Sequence, residues 1–236
     1  FNLDGGFVGV DIFFVISGYL ITSIILQTRN FNLYEFYLKR LRRLLPIILL
    51  TVLISIVVGL FILSPIHLKR LMTSSLYSIF GISNFLFFSE AGSFDHEKLF
   101  KPLLHTWSLA VEIQFYFIWP IIILLAKNLY KRNIVYILLL IFISSILLSV
   151  LYSPRADSFF YFTGFRIYEF AVGFILFFVL PKTCPKRSFI YFFLGLSVIF
   201  FSAFFFNSNF SFPGVYALVP CSGAALVIYS RYSETK

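Results

Sequence analysis

The run FVGVDIFFVISGYLITSIIL, residues 7–26, carries one charged side chain, Asp11, in twenty residues. A stretch of that length, apolar on every face, matches a helix crossing the roughly 30 Å hydrocarbon core of a bilayer. Six further runs have the same character: Pro46–Leu63, Trp107–Ala126, Ile134–Leu151, Phe165–Leu180, Phe189–Phe206 and Pro213–Tyr229. An eighth apolar stretch, Leu71–Phe88, is diluted by Thr73, Ser74, Ser75, Ser78, Gly81, Ser83 and Asn84. The whole chain agrees with this reading. Of 236 residues, 60% are hydrophobic and only 12% charged, and the mean hydropathy is +0.93. A soluble domain carries roughly 25% charged residues, so the composition excludes both a soluble globule and a disordered chain. The fold class that follows is all-α, a polytopic transmembrane helix bundle.

Loop charge sets the expected direction of each crossing. Arg29, Lys39, Arg40, Arg42 and Arg43 lie between the first two runs, Lys127, Lys131 and Arg132 follow the third, and Lys182, Lys186 and Arg187 follow the fifth. Basic residues collect in cytoplasmic loops, which accounts for the net charge of +9 without a nucleic-acid partner. The segments Phe1–Gly6, Ser89–Thr106, Tyr152–Gly164 and Asn207–Phe212 then face outward. An odd number of crossings must join inner Arg43 to outer Ser89. Pro46–Leu63 supplies one, so Leu71–Phe88 is expected as a re-entrant or interfacial helix beside seven spans, with eight full spans as the alternative. No repeat or linker interrupts residues 1–236, which read as a single membrane domain. Cys184 and Cys221 fall at different depths, against a disulfide. The first residue is Phe1, with no leader before the first run, so the chain is expected to be a fragment that starts mid-protein.

An ionisable side chain inside a span costs several kcal/mol and marks a candidate site. Asp11, Glu112, Arg166 and Glu169 are those that stand out, all in the outer half of their runs, where they could meet in one cavity. Arg166 and Glu169 are three apart and can neutralise one another; Gly9, Ser17 and Gly18 suit close helix packing around Asp11. The densest group of reactive types is His105-Thr106-Trp107-Ser108-Leu109-Ala110-Val111-Glu112. Helical spacing puts Ser108 and Glu112 on one face with His105 a turn outward, a trio suited to orienting and deprotonating a hydroxyl. Glu112 could equally balance a buried cation such as Arg166. Tyr116 and Trp119 read as aromatic packing. Arg40 and Arg43 share a helical face just below the membrane, either as topogenic charge or as a clamp for a phosphorylated ligand, to which Arg offers a fork. No metal-ligating pattern is present.

Three stretches together carry a family resemblance: Gly5-Gly6-Phe7-Val8-Gly9-Val10-Asp11-Ile12-Phe13-Phe14-Val15-Ile16-Ser17-Gly18-Tyr19-Leu20, the segment from Phe36 to Pro46 with Arg40 and Arg43, and Leu104-His105-Thr106-Trp107-Ser108-Leu109-Ala110-Val111-Glu112. Ser83-Asn84, Phe94-Asp95, Arg166 with Glu169 and Gly173, and Phe212-Pro213-Gly214 through Pro220 and Gly223 add to it. In that order they closely resemble membrane acyltransferases of the acyltransferase-3 type. The resemblance implies a bacterial cytoplasmic-membrane enzyme that moves an acyl group, usually acetyl from acetyl-CoA, to a hydroxyl of a surface polysaccharide or lipid-linked glycan, of O-antigen or peptidoglycan type. On this reading Glu112, His105, Ser108 and Asp11 are the catalytic candidates, Trp107, Tyr116, Arg166 and Glu169 contact substrate, and Lys39, Arg40 and Arg43 hold acetyl-CoA. The resemblance also implies a preceding helix with an Arg and a His, further helices after the end, and in one subgroup a periplasmic hydrolase-like domain. The chain departs from the pattern in two places: the double Arg is Lys39-Arg40, and the paired Glu is Glu112-Ile113. A fragment without the first helix is expected to be inactive alone. The rival reading from another class is a transporter or flippase with a charged central cavity, or a non-catalytic partner in a glycan-modifying assembly.

Overall fold

A computed structural model describes residues 4–91, 101–129, 134–152, 157–180, 188–207 and 214–230. Phe94-Asp95, Lys131, Arg132, Lys182, Cys184, Lys186, Arg187 and Phe212-Pro213 lie outside the described residues, as does the side chain of Lys127. All regular structure among the described residues is helical: α1 (Val8–Gln27), α2 (Leu33–Ile62), α3 (Pro65–Ile79), α4 (Ser83–Glu90), α5 (Thr106–Leu129), α6 (Ile134–Tyr152), α7 (Ile167–Val179), α8 (Ser188–Phe205) and α9 (Leu218–Ser230), with short 3-10 turns between some of them. Stretches in α1, α2, α5 and α8 are long and apolar enough to cross a membrane. The chain is a multi-pass membrane bundle.

The helix lengths refine the expected spans. The predicted second span began at Pro46, but α2 runs through Pro46 for 30 residues, about 45 Å at 1.5 Å per residue. Its start is fixed by Asn32, whose side chain accepts hydrogen bonds from the Tyr34 and Glu35 amides and caps the first turn. The basic segment is therefore the first part of one continuous rod. Conversely, α7 and α9 have 13 residues each, about 20 Å, shorter than the runs suggested. Their apolar residues begin in 3-10 turns at Thr163–Phe165 and Val215–Ala217, where Gly164 and Gly214 interrupt a helical start.

The diluted eighth stretch forms two short helices, α3 and α4, neither of spanning length. Gly81 divides them, with φ +68°, a conformation that favours glycine. The Gly81 amide donates to the Ser78 carbonyl and the Ile82 amide to the Tyr77 carbonyl, the paired bonds that close a helix at a left-handed residue. The serines that dilute the run are buried: Ser74 and Ser75 donate to the Leu71 carbonyl and Ser78 to the Ser74 carbonyl.

The helices gather into two compact units. One comprises Phe1–Arg29, Pro120–Arg155 and Gly164–Lys236; within it α1 packs on α7, α6 on α7, and α8 on α9. The α1–α7 crossing is made by glycines: a Cβ on Gly18 would sit 2.1 Å from the Phe170 carbonyl oxygen, and one on Gly173 would sit 2.0 Å from that of Val15. Backbones this close are available only where neither helix carries a side chain. Gly18 thus meets the sequence expectation, whereas Gly9 has open space around it. The other unit comprises Asn30–Trp119 and Ala156–Thr163. Its core joins Ile48 and Val52 of α2 to Leu71 of α3 and to Leu103, with Leu109 and Ile113 of α5 packed against them.

Candidate active site

Within the second unit the continuous α2 carries Arg40 to the side of α5. Tyr37 stacks on Phe117 at 4.9 Å and donates its hydroxyl to the Phe117 carbonyl at 2.9 Å, fixing the register of the two helices. In that register the Arg40 guanidinium lies over the Tyr116 ring, 5.1 Å from its centroid, and 5.3 Å from the Phe36 ring. A cation over an aromatic face is attracted by the ring quadrupole. The Tyr116 hydroxyl in turn donates to Oε1 of Glu112, one helical turn earlier on α5. Glu112 is 1% exposed, and its charge acts on Arg40. Arg40, Tyr116 and Glu112 therefore form one chain of contacts. Beside it opens a cavity of about 220 Å³, lined by Arg40, Tyr116 and the apolar side chains of Leu44, Ile48, Phe80 and Ile113.

This arrangement alters the expected separation of the basic segment from the buried carboxylate. Arg40 lies against residues well inside α5 rather than beyond its end, and is half-buried, whereas Arg43 and Lys39 are exposed. Lys39 pairs with Glu35 at 3.7 Å on the surface of α2, a contact worth little in water. Arg43 remains close enough to act electrostatically on Arg40.

The start of α5 is organised differently from the expected trio. The Ser108 hydroxyl donates to the His105 carbonyl at 3.2 Å, while Glu112 is engaged with Tyr116 on its other side along the helix. The His105 side chain is exposed. Trp107 is buried against Phe160 and Tyr161, at 4.8 and 5.6 Å between ring centroids. The neighbouring Thr106 hydroxyl joins Ser78 of α3 at 2.8 Å and donates to Ser83 of α4 at 3.0 Å. A second polar group closes on itself: Gln114 donates to Asn84 at 2.7 Å, Asn84 to the Thr163 hydroxyl at 3.2 Å, and that hydroxyl back to Gln114 at 2.5 Å. Gln114 also donates to the Gly81 carbonyl at 3.2 Å, tying the α3–α4 break to α5. Sequence reading missed Gln114 and Thr163, since a Gln among apolar residues and a loop Thr carry no signal of partnership. The Glu112–Tyr116 pair was missed as well, with Tyr116 read as aromatic packing, although the spacing of four is the signal that could have found it.

In the first unit, Arg166 Nη1 donates to Asp11 Oδ1 at 2.7 Å and to Glu169 Oε1 at 2.8 Å, all three side chains at most 1% exposed. The self-neutralising pair expected from sequence is thus a triad that includes Asp11. Asp11 Oδ2 and Glu169 Oε2 lack a hydrogen-bond donor among the described residues. Tyr168 donates its hydroxyl to the Gly214 carbonyl at 3.0 Å, and its amide donates to Ser145, so the segment bearing Arg166 is held at both sides. Cys221 is buried, with Sγ 4.0 Å from the Asp11 carbonyl oxygen. Of the four intramembrane ionisable residues expected in one cavity, three assemble here and Glu112 belongs to the second unit. Glu112 acts electrostatically on Arg40, and Arg166 makes ion pairs with Asp11 and Glu169.

Comparison with known proteins gives the arrangement a context. Residues 3–234 match the acyltransferase domain family. The chain is 40% identical to YrhL of Bacillus subtilis over 189 residues, covering 75% of this chain and 30% of that protein. It is 36% identical to the peptidoglycan O-acetyltransferase OatA of Listeria monocytogenes over 199 residues, 78% of this chain and 32% of the relative. The O-acetyltransferase OatA of Staphylococcus aureus is 34% identical over 193 residues, again 78% of this chain and 32% of the relative. The chain thus spans about a third of the length of these curated relatives. No solved structure matches it.

Proposed function

The chain belongs to the acyltransferase-3 family, and from that premise we propose that it forms the membrane core of an O-acetyltransferase acting on a cell-wall polysaccharide, with peptidoglycan as the acceptor and acetyl-CoA as the donor. The observation that carries this reading is the contact chain Arg40–Tyr116–Glu112 at the edge of an apolar cavity. It sets a cation for phosphate or a developing oxyanion, a phenol, and a buried carboxylate beside room for an acyl group. The positive-inside pattern of Arg29, Lys39, Arg40, Arg42 and Arg43 supports entry of the donor from the cytoplasm, with exposed Arg43 offering a fork to its phosphates. In a bacterium that membrane is the cytoplasmic one.

In the transfer, the acceptor hydroxyl oxygen forms the new ester bond to the carbonyl carbon. The thioester C–S bond breaks, and the hydroxyl proton ends on the released thiol. Glu112, oriented by the Tyr116 hydroxyl, takes that proton as it leaves the acceptor, and Arg40 stabilises charge on the carbonyl oxygen. His105 and Ser108, at the outer end of α5, belong to the acceptor side.

The test is acetyl transfer by the full-length protein in membrane vesicles, with acetyl-labelled CoA and analysis of the glycan product. Labelled O-acetyl ester on peptidoglycan is expected. Uptake of label without ester formation favours a carrier and refutes the assignment.

A further inference from the structure

We propose that the cavity beside Arg40 seats the acyl chain of the thioester donor, and that Ile113, pressed against Gly81, sets the chain length the protein accepts. This inference rests on the acyl-transfer reading and names the part of the substrate that the site measures. A cavity of about 220 Å³ is many times the roughly 10–15 Å³ that a single water needs. That exceeds what the two carbons and one oxygen of an acetyl group require, so volume alone does not exclude longer acyl groups. Discrimination must come from a wall that does not yield.

The Gly81–Ile113 side of the cavity has that character. A Cβ on Gly81 would lie 3.1 Å from Ile113 Cγ2 and 3.2 Å from Cδ1, so the isoleucine already fills the space against the backbone. That backbone cannot retreat easily: Gly81 has the left-handed φ that ends α3, and its carbonyl is held by Gln114. Ile113 itself is packed against the core formed by Ile48, Val52, Leu71 and Leu103. The opposite chemistry, Arg40 and Tyr116, lines the same cavity, which suits a ligand with a polar carbonyl head and an apolar tail. A bilayer lipid tail is the competing occupant. It would not need the guanidinium or the phenol, and its presence would make Ile113 irrelevant to donor choice.

The experiment uses the full-length protein in membrane vesicles with a fixed glycan acceptor and acetyl-, propionyl- or butyryl-CoA, comparing kcat/KM per folded protein. Ile113→Ala should raise the butyryl-to-acetyl ratio tenfold or more, on the scale of one methylene in an apolar pocket. Ile113→Phe should lower the propionyl- and butyryl-to-acetyl ratios. Ile113→Val, which removes a single methyl, should shift the ratio in the direction of Ala where the larger change costs yield. Ile118→Ala, on the exposed side of α5, should leave the ratio unchanged. Unchanged ratios in all Ile113 variants, with the parent protein transferring acetyl, overturn the slot and leave the cavity to lipid. No transfer from any acyl-CoA by the parent overturns the underlying reading instead.

Discussion

Replacing Glu112 by Gln separates a chemical role from a structural one. The carboxylate accepts the Tyr116 hydroxyl through Oε1 and is buried. The carboxamide keeps an oxygen at that position, so Tyr116 retains an acceptor. A hydrogen bond to a charged group contributes about 1.5–3 kcal/mol and one between neutral groups about 0.5–1.5 kcal/mol, so the exchange should cost roughly 1 kcal/mol of stability. Arg40 is half-buried and keeps its contacts with the Tyr116 and Phe36 rings, which limits the penalty of losing the opposite charge. If Glu112 takes the acceptor proton, by contrast, its loss should slow transfer by about 10²–10⁴-fold. At 1.36 kcal/mol per decade that is about 3–5 kcal/mol on the barrier. The assay measures folded protein by size exclusion in detergent and initial rate of ester formation in vesicles, each normalised to the same preparation. The expected result is near-normal yield with a rate at most a hundredth of the parent's. Turnover within threefold of the parent would refute proton transfer by Glu112. A fall in rate that tracks a fall in folded protein would assign Glu112 to charge balance with Arg40.

Arg166→Met should collapse the yield, because it leaves the Asp11 and Glu169 carboxylates buried without their guanidinium, at about 3–5 kcal/mol. The triple change Asp11→Asn, Arg166→Met, Glu169→Gln should restore it. Transfer returning with yield assigns the triad to packing, whereas yield without transfer assigns it to the reaction, and wild-type yield in the single variant contradicts the argument. Arg43→Lys keeps the charge of an exposed side chain but removes its fork, so insertion should be normal and KM for acetyl-CoA should rise roughly tenfold, the equivalent of one charge-assisted hydrogen bond. Equal KM in the Lys variant would return Arg43 to a purely topogenic role. Cysteines placed at Arg29 and at Ser64, just before and just after α2, should label from opposite sides of the membrane with impermeant reagent; labelling from the same side would overturn the charge-based orientation.

The membrane class and the all-helical fold were legible because each depends on local chemistry, whereas the eighth stretch was expected as one re-entrant or interfacial helix and its division at Gly81 was not foreseen. An apolar run of about twenty residues has no soluble solution, and a Gly-containing, Ser-rich stretch has too little hydrophobicity to cross. Helix ends were less legible. Pro46 looks like a start when only its missing amide is considered, yet α2 passes through it, because apolar packing from Ile48 and Val52 onward and the Asn32 cap hold both sides in one helix. The 13-residue α7 is shorter than its apolar run because the run opens in the 3-10 turn Thr163–Phe165, and Arg166, ion-paired with Asp11 and Glu169, is the residue just before the helix.

By itself, the sequence determined which residues to single out: Asp11, Glu112, Arg166 and Glu169 carry charge where lipid penalises it, and Arg40 and Arg43 stood open between topogenic charge and a phosphate clamp. Their partners were decided by the tertiary structure. Asp11 and Arg166 are 155 residues apart, and the Gly18–Gly173 crossing, too close for a side chain at either glycine, together with the Phe14–Phe170 stack brings α1 and α7 together. Arg40 meets Tyr116 because Tyr37 locks α2 to α5 at Phe117, a register that no local spacing encodes. Periodicity specifies which face of a helix is polar, but the distance between polar faces on different helices is set by how closely their backbones can pack.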